Sequence, residues 1–224
     1  MTSGKLNSPT ISARSAEVDD FLAGLPDGAH GRDRRAREIA IVDAPRLRRL
    51  ATADLTTSEI EAIRRLLVAA FGSDEDEEFT QEDWDHAVGG VHFVLDVEGE
   101  IVAHASVVER EIHVDGRPLR TGYVEAVATA VDRQGLGYGS LVMSDVTAHI
   151  RDRFELGVLG TGRYRFYERL GWQRWRGPSF VRTPDGPRPT PDEDGSILFL
   201  PTPSSPPLDP TASISCEWRS GDVW

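Results

Sequence analysis

The stretch Val131-Asp132-Arg133-Gln134-Gly135-Leu136-Gly137-Tyr138-Gly139 decides the fold. Ahead of it, Tyr123 to Val131 reads as a strand, and after it the chain to about Ile150 reads as a helix. Glycines at such a strand-to-helix turn let successive backbone N–H groups face one anion, and the helix N-terminus adds partial positive charge. A pyrophosphate is the natural guest. A nucleoside triphosphate loop would need Gly-Lys-Ser/Thr, which is absent. A dinucleotide fingerprint needs Gly-x-Gly-x-x-Gly in a parallel βαβ unit near the chain start, and this stretch follows a run of antiparallel strands instead.

That run is read from its turns. His92 to Val97 and Ile101 to Val108 flank Glu98-Gly99-Glu100 as a hairpin, and Asp115-Gly116 marks the next turn. Earlier still, Arg46 to Ala53 reads as an opening strand. Thr56 with Glu59 forms a capping-box pattern that starts a helix with Ile60, Ile63, Leu67, Ala70 and Phe71 on one face. After the acidic run Asp74 to Glu78, Thr80 with Asp83 caps a second short helix that ends at Gly89-Gly90. Downstream, Glu155 to Leu159 is a buried strand, and a helix from about Arg163 to Leu170 is stopped by Gly171. The predicted class is α/β, a mixed, mostly antiparallel central sheet flanked by helices. Nine of the 14 prolines lie between Pro184 and Pro210, so that region reads as extended and loop-rich, with Ser196 to Leu200 and Ser213 to Trp218 as its only strands.

Charge divides the chain. Of 224 residues, 37 are acidic and 25 basic, a net charge of −12. Residues 1–49 carry nine basic and seven acidic side chains, which leaves 16 against 30, or −14, for the remainder. Residues 1–44, with Arg32, Arg34, Arg35 and Arg37 but no sustained apolar stripe, read as a mobile or loosely packed extension, and residues 45–224 as one domain. The acidity argues against a nucleic-acid partner and suits a cationic small molecule or a basic polypeptide, although solubility alone accounts for much acidity in proteins. The single Cys216 allows no intramolecular disulfide. No secretory segment is evident, and the apolar runs fall well short of the roughly 18 residues a bilayer span needs, so a cytoplasmic location without membrane contact is expected.

Two motifs carry a resemblance. Gln134-x-x-Gly137-x-Gly139 after an antiparallel run resembles the acetyl-coenzyme A site of the GCN5-related N-acetyltransferase superfamily. About 30 residues on, Arg165-Phe166-Tyr167-Glu168-Arg169-Leu170-Gly171-Trp172 resembles the superfamily's FYxxxGF segment, with Trp172 in place of the usual Phe. Longer strings narrow the match: Phe79-Thr80-Gln81-Glu82-Asp83-Trp84, Gly89-Gly90-Val91-His92, Gly122-Tyr123-Val124-Glu125, Pro191-Asp192-Glu193-Asp194-Gly195 and Cys216-Glu217-Trp218-Arg219-Ser220-Gly221-Asp222-Val223-Trp224. Over about residues 46–224 the chain resembles the aminoglycoside 2'-N-acetyltransferases of mycobacteria and related actinobacteria.

The resemblance implies acetyl transfer from acetyl-coenzyme A, as cosubstrate, to the 2'-amine of an aminoglycoside, which confers resistance. It implies Glu125 as general base through an ordered water and Tyr167 as general acid. Val127 and Thr129 would lie along the pantetheine arm, with Arg133, Gln134, Gly135, Leu136, Gly137, Tyr138 and Gly139 on the pyrophosphate. Glu78, Asp83, Glu125, Thr161, Glu193, Asp222 and Trp224, the last through the terminal carboxylate, would line the antibiotic site. A homodimer is expected on the same ground. The chain departs from that pattern in its long N-terminal extension and in glutamates at 78 and 193 where aspartates are expected. Between Leu159 and Tyr167 it is shortened, with Gly160-Thr161-Gly162 replacing serines. Rival readings are an acetyltransferase for a polyamine, another amino sugar or a protein amine, and a non-catalytic ligand-binding relative. No metal is expected: the six histidines show no ligand spacing.

Overall fold

The computed structural model describes residues 44–72 and 79–224; the N-terminal extension up to residue 43 and Glu78 lie outside them. Strand β1 (Arg46–Ala51) leads through a short 3-10 turn into helix α1 (Thr57–Phe71) and then α2 (Gln81–Ala87). Both helices start where the sequence places them, because Thr56 with Glu59 and Thr80 with Asp83 each complete a reciprocal capping box. Strands β2 (Val91–Val97), β3 (Glu100–Val114) and β4 (Arg117–Thr129) follow as an antiparallel meander. Its turns are tight because Glu98 with Gly99, and Asp115 with Gly116, take the positive φ values of two-residue hairpin loops.

Helix α3 (Tyr138–Arg153) then crosses to β5 (Leu156–Gly160), which runs parallel to β4, and the short helix α4 (Tyr164–Glu168) comes next. The remaining strands are β6 (Gln173–Arg174), β7 (Ser179–Thr183), β8 (Gly186–Pro189), β9 (Ile197–Pro201) and β10 (Ile214–Glu217). They form one sheet in the order β6-β9-β5-β4-β3-β10-β7-β8, with β2 and then β1 branching from β3. Among the described residues, only the β4–β5 and β7–β10 pairs are parallel. The proline-rich region is more ordered than its composition suggests, because β8, inside the stretch read as loop-rich, pairs with β7 in a hairpin. The prolines of β8 are tolerated because it is the outermost strand, so they interrupt one ladder only.

One face of the sheet is covered by α3, whose Val142, Met143, Val146 and Ile150 pack against Phe93, Leu95, Ala105, Val107 and Val124. Tyr123, Trp175, Ile214, Cys216 and Trp224 share a second cluster, and α1 and α2 cover a third around Val94 and Ala128. The end of α3 presses directly on the β4–β5 ladder, at the rung that joins Gly122 to Gly157. A Cβ at Gly122 would stand 2.8 Å from Phe154 Cδ2 and 2.9 Å from Ile150 Cγ1, and one at Gly157 would be 3.0 Å from Ile150 Cγ2. A side chain at Gly122 would force a shift in this contact, and one at Gly157 would make it tighter than ordinary packing. Among the described residues no helix is long and apolar enough to cross a membrane.

Gly122→Ala should therefore overpack the α3 contact and cost about 1–3 kcal/mol. The measurement is the urea unfolding midpoint at constant slope. Gly162→Ala, at a position with open space around it, should stay within about 0.5 kcal/mol of the parent.

Candidate active site

The site begins with a defect in β4. Ser106 of β3 faces Glu125 and His104 faces Ala128, so two residues of β4, Ala126 and Val127, stand against Ala105 alone. This is a β-bulge, and Ala126 sits in it at φ 52°, a conformation that costs an alanine about 1 kcal/mol or more. Pairing of β4 with β5 ends at Tyr123 and Val158, although β5 continues to Gly160 against β9. The two parallel strands thus diverge, and a cleft of about 760 Å³ opens between Tyr123–Val127 on one side and Leu159–Arg163 on the other.

A buried relay holds the bulge. His104 Nδ1 is 2.8 Å from the Ala126 carbonyl, His104 Nε2 is 3.0 Å from His92 Nδ1, and His92 Nε2 is 2.9 Å from Thr52 Oγ1. The carbonyl can only accept, so every proton in the relay is assigned: His104 donates from Nδ1, His92 donates from Nδ1 to His104, and Thr52 donates to His92. The Thr52 oxygen in turn accepts from Gly89 N–H. Both rings must be neutral for this arrangement. Burial lowers His92 to about 4, and burial together with the neighbouring His92 lowers His104 to about 3.

Glu125 and Tyr167 both line the cleft. Glu125 is largely but not fully buried, and burial raises its carboxyl above the usual carboxylate range, opposed by the adjacent Arg219 and by Arg110. Arg219 Nη1 donates to Glu125 Oε1 at 2.6 Å. Tyr167 is set by α4, with its ring edge-on to Phe166 and Trp172, and burial pushes its hydroxyl up to about 12. The remaining acidic wall comes from Glu82, Asp83 and Asp222. Asp83 uses Oδ2 for both of its capping bonds to Thr80, so Oδ1 has no protein partner among the described residues.

Of the residues singled out from sequence for the acceptor, Asp83, Glu125, Thr161, Asp222 and Trp224 meet at this cleft. The main-chain carboxyl of Trp224 rests against Gly160. Glu193 is not in the lining; its carboxylate accepts from Ser196 Oγ, one residue chain removed from Thr161, whose N–H donates to Ser196 O. Sequence reading missed Glu82, Arg219 and the unpartnered, buried hydroxyl of Tyr123. A second cavity of about 880 Å³ lies beside α1, but its Arg48 is already bonded to Glu59 and Asp96, and neither Glu125 nor Tyr167 reaches it.

The glycine cradle fits an anion. Gly135 and Gly137 have φ of 79° and 87°, with open space where side chains would stand. Gly137 is the N-cap of α3 and offers no side chain to the first-turn N–H groups, which are thus left for a ligand. A Cβ on Gly139 would come within 3.0 Å of Thr129 Oγ1, and Gln134 Nε2 donates to Thr129 O, so the loop is tied to the end of β4. Arg133 and Tyr138 flank it, and Leu136 is exposed at its tip. A pyrophosphate bound here and an acyl arm running along Val127 into the cleft are sterically compatible.

A bulged strand beside a splayed parallel neighbour, with a glycine cradle at the next helix, sets an anion site beside a cleft that can admit an acyl arm. Residues 52–175 match the model of the acetyltransferase (GNAT) domain, and the chain belongs to that family and is an acyltransferase. More particularly, it is 40% identical over 178 residues to the aminoglycoside 2'-N-acetyltransferase of Mycolicibacterium fortuitum, a match covering 77% of this chain and 89% of that protein. Among solved structures, the GNAT family N-acetyltransferase YhbS of Escherichia coli, in complex with CoA, matches 77% of this chain and 89% of its own at 13% identity and TM-score 0.54. A GNAT family acetyltransferase from Brucella melitensis, in complex with acetyl-CoA, matches 78% and 97% at 16% identity and TM-score 0.50. These two share the fold. Some solved relatives are longer: the chain spans 34% of a GCN5-related N-acetyltransferase from Kribbella flavida, at 24% identity over 60% of this chain and TM-score 0.48.

The histidine relay makes stability pH-dependent. Both folded-state values lie below the ordinary 6.5, so the unfolded chain takes up protons first as pH falls. Stability should be full above about pH 6.5 and fall toward pH 4, by about 3 kcal/mol for each ring. Urea titrations across that range should show the loss, and His92→Gln with His104→Asn should flatten it. Glu59, held at about 2 by its bonds to Thr56 and Arg48, adds its own loss from about pH 4.5 downward, at the lower end of this window and below it.

Proposed function

We propose that this protein transfers an acetyl group from acetyl-coenzyme A to the 2'-amine of an aminoglycoside, inactivating the antibiotic. The observation that carries the reading is the acidic cleft faced by both Glu125 and Tyr167, in a chain 40% identical to a protein named for that reaction. The first-turn amides of α3 and the loop Arg133–Gly139 would hold the pyrophosphate, and the thioester would supply the acetyl group.

The rest is done by this chain's own residues. A sugar ammonium is not a nucleophile, so Glu125 takes its proton through an ordered water, which lets one carboxylate serve amines of varied position. Val127 offers its backbone N–H to the carbonyl oxygen as negative charge develops there. Tyr167, whose hydroxyl burial pushes up to about 12, gives its proton to the departing sulfur, and the second proton shed by the acylated nitrogen restores the phenol. The burial that raises Tyr167 also raises a thiol beside it, so the gap between the two does not widen with the rise of Tyr167. Glu82, Asp83 and Asp222 form charge-assisted hydrogen bonds with the other ammonium groups, and Thr161 offers a hydroxyl.

Release of coenzyme A should be fast with kanamycin B and tobramycin, which carry a 2'-amine, and absent with kanamycin A and amikacin, which carry a 2'-hydroxyl. Equal turnover of both pairs, or faster turnover of a polyamine or basic peptide, would overturn the assignment. Tyr167→Phe should lower kcat by about 100-fold while KM is retained, and Glu125→Gln should lose at least as much.

A further inference from the structure

Arg219 stands where the proposed reaction leaves it without a task. Its segment is fixed on both sides of the cleft. Trp218 N–H donates to Arg182 O, and Arg110 Nη2 donates to the carbonyls of Glu217 and Val223. His86 Nε2 donates to Ser220 O, and Ser220 Oγ donates to Glu82. The guanidinium itself is oriented from within the segment, because Nε donates to Asp222 O at 2.6 Å, and it stands 5.6 Å over the Tyr123 ring. Of the two remaining nitrogens, Nη1 donates to Glu125 Oε1, and Nη2 has no partner among the described residues.

Two features set this pair apart from an ordinary surface salt bridge. Both side chains are only 15% exposed, so water and salt screen them weakly. The contact is also single rather than bidentate: with Nε engaged by Asp222, Arg219 holds one carboxylate oxygen and leaves Oε2 without a partner among the described residues. The unengaged Oε2 keeps both of its lone pairs for the proton.

We propose that Arg219 is a positioning residue for Glu125: its single bond to Oε1 favours the ionised carboxylate and turns it so that Oε2 alone faces the amine's proton. The inference rests on Glu125 acting as the base. Other groups facing Glu125 are Tyr123 on its own strand, Arg110 of β3, His86, Glu82 and Asp83 of α2, Arg163 and Tyr167 before and on α4, and Asp222 of the segment. Among the cations, only Arg219 bonds the carboxylate. Burial opposes ionisation and is only partly offset by Arg219, so losing Arg219 removes the main opposing influence.

The test uses the full chain and its Arg219→Gln and Arg219→Lys variants, each checked by thermal unfolding. The Glu125 carboxyl carbon is followed by NMR titration of glutamate-labelled protein without acceptor. In Arg219→Gln its midpoint should move to higher pH, and the acid limb of kcat/KM for tobramycin should move with it, lowering kcat/KM near pH 6.5 by about tenfold or more. Arg219→Lys should recover most of both. An unmoved midpoint overturns the proposal. So does a higher kcat/KM in Arg219→Gln, which would make Arg219 a competitor of the acceptor's ammonium. Should the parent acetylate no amine, the aminoglycoside reading fails, and the titration still decides the coupling.

Discussion

The hydrogen bond from His104 to the carbonyl of Ala126 is the contact on which the rest of the site depends. A residue inserted into an antiparallel strand leaves a carbonyl out of register with its ladder, and in a dry interior that oxygen must be satisfied or the bulge relaxes. Here a histidine from the neighbouring strand satisfies it, and a second histidine and a threonine satisfy the first. With the bulge fixed, Glu125 and Val127 line the cleft from its two ends, and β4 parts from β5. The cleft, the placement of the proposed base and the proposed oxyanion donor follow from that local irregularity.

Much of the architecture was legible because it is governed by local chemistry. Both capping boxes, both hairpin turns, the glycine cradle and the stop at Gly171 are set by residues within a few positions of one another. The β7–β8 hairpin was not, because its prolines are acceptable only at a sheet edge, and edge position is a property of the whole sheet. The bulge was illegible for a similar reason. Ala126 has no intrinsic preference for positive φ, and the partner that stabilises it lies 22 residues upstream.

The site divides along the same line. Glu125 and Tyr167 were marked by short motifs, whereas Arg219 lay inside a quoted string with nothing to indicate that it would meet a residue 94 positions away. Glu82 was passed over beside Asp83, although successive residues in a first helical turn can border one opening. Glu193 was read as part of the wall, and it lies behind Ser196. The acidity of the domain, at first a statement about solubility, is concentrated in part where Glu82, Asp83, Glu125 and Asp222 converge.

The single cysteine has a practical consequence. Cys216 lies in β10 with its side chain fully buried, and burial pushes its thiol up to about 11. At assay pH it is neither accessible nor ionised, and the chain has no other. A disulfide reagent added to the folded enzyme should give almost no background colour, so the signal during turnover reports coenzyme A directly. The same reagent then becomes a gauge of integrity, since one slow equivalent of reaction marks the opening of the strand that leads into the cleft.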